Sequence, residues 1–197
     1  MNLDAFALAD VGVKSQCEVA IEETIAQFGK LNILVNNAAF QQTQYKFEEI
    51  PEDQIRRVFE VNILGYFFMA QAAVPHLHER DVIVNTGSTT ALMGNPMPVD
   101  YSSTKGAIHV FAKSLALNLA ERKIRVNAVV PGPVWTPIIP TRSSDPDAVS
   151  KFDAQSAMQR PGQPEELAPV YVLLASSDGS FMTGSLVEVS GGIVTVG

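Results

Sequence analysis

Four short apolar runs set the tightest constraint on this chain, because each breaks off at small or turn-forming residues and each is separated from the next by a helix-length segment. Residues 31–35 run into Asn36, Asn37, Ala38 and Ala39, and residues 81–87 run into Ser88. Residues 124–130 run into Pro131, Gly132 and Pro133, and residues 185–189 lead to Gly191 and Gly192. Residues 5–10, Ala-Phe-Ala-Leu-Ala-Asp, read as one further buried strand. The intervening segments carry helical periodicity. Val19, Ile21, Ile25 and Phe28 mark a helix over 15–28 closed by Gly29. Ile55, Val58, Val61, Leu64 and Phe68 mark a long one over 51–76, with Pro51 in a good starting position. Ile108, Phe111, Leu115 and Leu119 mark a third over 101–122, and 164–175 forms a fourth. Strands alternating with helices in this rhythm build βαβ units, which predicts an α/β fold with a mostly parallel sheet covered on both faces.

Composition narrows the function classes. At 197 residues and 46% hydrophobic, the chain suits a single domain over 1–197 with a sizeable core. A net charge of -7 without a basic run argues against nucleic acid, whose phosphates want clustered Lys and Arg. No apolar run reaches the roughly 18 residues of a membrane span, and the start lacks the layout of a signal peptide. Cys17 is the single cysteine, so no internal disulfide framework can form, which suits a reducing cytoplasm. His76, His78 and His109 form no metal-like constellation with one another or with Cys17, so no metal is expected and none of the three is given a role.

The chemistry centres on Tyr101-Ser-Ser-Thr-Lys105. Four residues apart at the start of a helix, Tyr101 and Lys105 share one face, where an ammonium can make a phenol a usable general acid or base. Ser88 emerges at the carboxyl end of its strand, where open α/β sheets bind ligands. Asn62 lies inside the long helix, where a polar amide is unfavourable, so it is either solvent-facing or put to use. Residues 135–160 hold prolines, Ser and Asp without a period, and read either as a mobile cover over a substrate or as a plain surface loop.

Asp10-Val11, Asn36-Asn37-Ala38-Ala39, Asn62, Ser88, Tyr101-x-x-x-Lys105, Pro131-Gly132-x-Val134-x-Thr136 and the stretch Gly184 to Gly192 together resemble the classical branch of the short-chain dehydrogenase/reductase family, over essentially the whole chain. The resemblance implies a Rossmann-like three-layer sandwich and an NAD- or NADP-dependent oxidoreductase acting on a small alcohol or carbonyl compound, with a looser likeness to sugar-alcohol and aldehyde reductases. It implies that Tyr101 exchanges the proton with the substrate oxygen and that Ser88 stabilises that oxygen. Lys105 would tune Tyr101 and hold the nicotinamide ribose, and Asn62 would position a water leading from Lys105 to solvent. Asp10 and Val11 would face the adenine, Asn37, Ala38 and Ala39 the adjoining ribose, and Pro131, Gly132, Val134 and Thr136 the nicotinamide end. Ala39 stands where a glycine is usual. A homo-oligomer, dimer or tetramer, is implied, with dimers through the helices over 51–76 and 101–122 and contacts through the last strand.

The same resemblance implies a strand, a turn of the form Thr-Gly-x-x-x-Gly-x-Gly, a helix and a second strand ahead of Asp10, together roughly 50 residues. This sequence does not contain them. The expectation is therefore a truncated domain without strands 1 and 2, with weak or absent cofactor binding and a bare sheet edge at 31–35. A truncated reading of a longer gene is favoured over a genuine short product. The rival reading is a non-catalytic subunit that associates with a full-length partner.

Overall fold

The computed structural model describes residues 5–141 and 156–193. Helix α1 (Lys14–Phe28) leads into strand β1 (Ile33–Asn36), and Gly29 ends the helix in the left-handed conformation at φ 78°. Helices α2 (Glu52–Phe59) and α3 (Gly65–Ala73) flank a single π turn, Glu60–Leu64, and are followed by strand β2 (Val82–Thr86). A short helix α4 (Thr90–Met93) precedes the 20-residue α5 (Val99–Asn118), which feeds strand β3 (Arg125–Pro131). Helix α6 (Ile138–Thr141), helix α7 (Pro164–Ala175) and strand β4 (Leu186–Val189) complete the described elements.

The four strands pair in sequence order, β1-β2-β3-β4, and every pairing is parallel. Alternation along β2 explains why both faces are covered. Ile83 joins a core of Leu34, Ala70, Ala112, Ile124 and Val126 beneath α1, α3 and α5. Val82 and Val84 face the other way, against Val129 and Leu174 of α7. Parallel strands buried on both faces need such continuous Val and Ile runs, which is what the sequence shows.

Three expectations are corrected. Residues 5–10 form no strand: Phe6 and Leu8 stand fully exposed, and among the described residues no strand lies beside them to accept their backbone bonds. The helix over 51–76 runs unbroken as expected but carries the π turn around Asn62 and ends in a 3-10 turn, Val74–His76. That run, Glu52–His76, is also long and apolar enough by composition to cross a membrane, contrary to the reading of the sequence. Here it packs on α1 and on the sheet with Val58, Val61, Ala70 and Ala73 buried. The expected edge at β1 is present among the described residues, with Ile33 and Val35 half-exposed. Of the segment over 135–160, residues 142–155 lie outside the described residues.

Candidate active site

The register of the sheet brings three loops to one edge. Asn36 pairs with Asn85 and Val189 with Pro131, so the residues that follow β1, β2 and β3 open on the same side. There they line a cavity of about 510 Å³ together with the first turns of α5. Its lining includes Asn37, Ala38 and Ala39 after β1, Ser88 after β2, Tyr101 and Lys105 of α5, and Pro131, Gly132, Val134 and Thr136 from the end of β3 onward. Gly132 is required by close approach, since a Cβ there would fall 2.7 Å from the Ser190 Cα.

Lys105 is 1% exposed, and its Nζ donates to the Thr86 carbonyl at 2.8 Å. The ammonium lies 5.4 Å from the centroid of the Tyr101 ring and 5.7 Å from that of Tyr66, within cation–π range of both. Burial pushes its pKa from 10.5 down to about 7, so the group can hold or release a proton near neutrality. The Tyr66 hydroxyl donates to the same Thr86 carbonyl at 3.1 Å, and burial raises its own pKa well above the usual phenol value. Thr86 is thus a junction. Its hydroxyl donates to Asn37 Oδ1 at 2.9 Å and sits 2.7 Å from the hydroxyl of Tyr171, a cavity residue on α7.

Ser88 Oγ accepts from Thr90 N at 3.2 Å and from Thr90 Oγ1 at 3.0 Å, which leaves its own hydrogen to be given to an oxygen in the cavity. Asn62 is fully buried and put to use. It accepts from Phe40 N at 2.8 Å and donates to Phe40 O at 3.0 Å and Thr104 Oγ1 at 3.0 Å, so one amide pins the cavity wall to α5. The π turn is what carries this side chain, as such turns commonly do at functional sites.

Asp10 and Val11 are not brought to the cavity lining. Asp10 accepts from Gly12 N at 2.9 Å and pairs with Arg57 at 2.9 Å, and both contacts hold its carboxyl below the usual range. Val11 packs on Gly65, where a Cβ would come within 2.8 Å of the valine Cγ2. Three cavity or supporting residues escaped the reading of the sequence: Thr86, Tyr66 and Tyr171. His109 also proves to be buried beside the site. Its spacing was the available signal, since Tyr101, Lys105 and His109 recur every four residues along one helix face.

Comparison with known proteins places this geometry. A family profile described as Enoyl-(Acyl carrier protein) reductase matches residues 2–194. The glucose and ribitol dehydrogenase of Daucus carota is 44% identical over 189 residues, covering 96% of this chain and 65% of that protein. The NADPH-dependent aldehyde reductase 1 of Arabidopsis thaliana, a chloroplastic protein, is 44% identical over 186 residues, covering 94% and 64%. Among solved structures, the Thermoplasma acidophilum aldohexose dehydrogenase superposes with a TM-score of 0.85 at 31% identity, covering 94% of this chain and 76% of that one. The chain spans less than two thirds of the length of these two curated relatives. With the Ser88, Tyr101 and Lys105 constellation at the sheet edge and a match over nearly its whole length, the chain belongs to the short-chain dehydrogenase/reductase family.

Proposed function

We propose that this chain carries the catalytic part of an NAD(P)-dependent oxidoreductase that interconverts a small alcohol and its carbonyl form, with sugar alcohols, sugars and aldehydes as the substrate class. The observation that carries the reading is the convergence of Ser88, Tyr101 and Lys105 on one cavity at the carboxyl edge of a parallel sheet. The relatives named for glucose, ribitol and aldehydes support the substrate class.

The cavity residues fit the nicotinamide and ribose half of such a cofactor. Lys105 spends one Nζ donor on Thr86, and an ammonium has two more to give to ribose hydroxyls. The backbone of Val134 is suited to a carboxamide. Gly162 N donates to Pro133 O and Trp135 N donates to Gly162 O, so strand alternation turns the amide and carbonyl of Val134 to the opposite side. Asn37, Ala38 and Ala39 form the wall beside them. Among the described residues that line the cavity, Lys105 is the one cation, and no glycine-rich turn stands ready for a pyrophosphate. Asp10, held by Arg57 away from the cavity lining, receives no part in this proposal.

When bound, the cofactor supplies the hydride chemistry. The protein's share is proton handling and charge. Tyr101 gives its hydroxyl proton to the substrate oxygen in reduction and takes it back in oxidation. Ser88 donates to that oxygen and stabilises the charge it develops. Lys105 offsets the negative charge on Tyr101 and, titrating near 7, restores its proton. Asn62 spends its side chain on Phe40 and Thr104, so we assign the water that leads from Lys105 to solvent to the backbone of the π turn, where the wider turn frees a carbonyl.

We further place a second copy of the chain against the outer faces of α2, α3 and α5. Phe59, Leu64 and Phe67 on one side and Val110 and Leu117 on the other leave apolar surface in water, and the tilted rings of Phe67 and Phe111, 4.5 Å between centroids, join the two faces. A buried lone Cys17 is in keeping with a reducing cytoplasm. The test is a fluorescence titration with NADPH and NADH followed by turnover assays on polyols and aldehydes, with Tyr101→Phe as the control. Turnover should vanish in the variant while cofactor binding persists, and retained turnover would refute the assignment.

A further inference from the structure

The segment after β2 is zipped to β3 through alternate amides. Gly87 N donates to Val129 O at 2.7 Å and Thr89 N to Pro131 O at 3.0 Å. Ser88 N, between them, points the other way and meets His109 Nε2 at 3.4 Å. Both residues are buried, so this amide depends on the imidazole, because a buried N–H cut off from water needs a protein acceptor. The contact needs the glycine at 87. A Cβ there would sit 2.3 Å from His109 Nε2 and 2.7 Å from its Cδ2, so any side chain would push the imidazole out of reach.

We propose that His109 is a positioning residue for Ser88: its Nε2, reaching across the space left by Gly87, holds the Ser88 amide and so fixes where the Ser88 hydroxyl meets the substrate oxygen. Its catalytic consequence rests on the oxidoreductase reading of this same site. The hydroxyl is anchored by Thr90 from within its own loop, and His109 holds the backbone of that loop against α5. An acceptor is required, so the imidazole must be neutral with its hydrogen on Nδ1. The surroundings favour that form. Burial first, then the charges of Lys105 and Lys113, push the His109 pKa down to about 4.

The test joins a spectroscopic and a kinetic readout. Heteronuclear NMR of the imidazole at neutral pH should show the Nδ1-protonated tautomer. The Ser88 amide resonance should move in His109→Leu and return toward its original position in His109→Gln, whose side-chain carbonyl can accept. In steady state, His109→Leu should lower kcat about 10- to 100-fold with the cofactor KM held within about two-fold, and His109→Gln should recover most of it. Gly87→Ala should cause a similar loss, and the Gly87→Ala/His109→Leu double variant should lose little more than either change alone, because both remove the same contact. An Nε2-protonated tautomer, or a Ser88 amide and a kcat that respond equally to Leu and Gln, would overturn the proposal. A protein that binds NADPH or NADH and still shows no oxidoreductase turnover would refute the reading of the site, while the NMR result would still decide the contact.

Discussion

Replacing Lys105 with methionine should make the cofactor-free protein more stable at and below neutral pH while removing its chemistry. Lys105 is among the largest fully buried side chains of the fold, and its pKa falls from 10.5 to about 7 through burial alone. A base with a depressed pKa binds fewer protons folded than unfolded between those two values, so its contribution to stability rises with pH across that window. At about 1.4 kcal/mol per pH unit, the charged lysine costs the fold on the order of 5 kcal/mol below pH 7. By pH 9 linkage leaves about 2 kcal/mol of that cost. Methionine fills the same volume without a charge. It forfeits the bond to the Thr86 carbonyl, worth about 1.5–3 kcal/mol for a charged donor, but Tyr66 still donates to that oxygen. The net gain of Lys105→Met should therefore be about 2–3 kcal/mol near pH 6 and close to zero near pH 9. Urea denaturation of both proteins at the two pH values measures it. A variant less stable than its parent at pH 6, or a stability gap that does not shrink with rising pH, would refute the argument that burial of the ammonium dominates its energetics.

Other outcomes follow from the same contacts. Asn62→Ala removes three hydrogen bonds and leaves both backbone groups of Phe40 without their partner, so it should cost about 2–4 kcal/mol by urea denaturation and loosen the wall at residues 38–41 toward proteases. Thr86→Val keeps the β-branched shape of the strand but breaks the bridge between Asn37 and Tyr171, so stability should fall by about 1–2 kcal/mol and NADPH affinity should fall with it in a fluorescence titration.

The parts of the fold legible in the sequence were those driven by periodicity. Helix α7 falls on the residues expected for it, and α5 with its closing turn spans the expected stretch, where Ile108, Phe111, Leu115 and Leu119 mark the period that burial against a sheet imposes. Residues 5–10 failed for the opposite reason. Their apolar run satisfies the local rule for a strand, but a strand exists only where a neighbour accepts its backbone bonds, and that is a property of the sheet. At the site, the spacing of Tyr101 and Lys105 and the position of Ser88 at a strand end could be read directly. The parts of Thr86, Tyr66 and Tyr171 could not, because each acts through residues 19 to 85 positions away. Their contacts depend on sheet register, which local pattern does not encode.

That register has its own fixing device, and it ties the core to the site. Where β1 ends, Asn36 Nδ2 donates to Asn85 Oδ1 at 3.1 Å across two strands. Asn85 in turn faces the carbonyl of Asn127, whose own side chain accepts from Ser185 N at 3.0 Å and donates to Met182 O at 2.8 Å. All three asparagines are buried, which a purely hydrophobic sheet would not require. A slip of one residue in any pair would turn these amides to the opposite face and strand them without partners, at about 1–3 kcal/mol each, besides exposing the Val and Ile runs. An apolar ladder would resist the slip only through burial, whereas this one also resists it through polar groups that have a single satisfactory alignment. The register they fix also sets the stagger of the loops: β1 ends at Asn36, level with Asn85 and Ala128, while β3 runs on to Pro131, so Asn37, Ser88 and Pro131 leave the same edge of the sheet and line one cavity with Tyr101 and Lys105. The buried asparagines therefore act on the chemistry without touching the cavity: they hold the strand ends from which it is built.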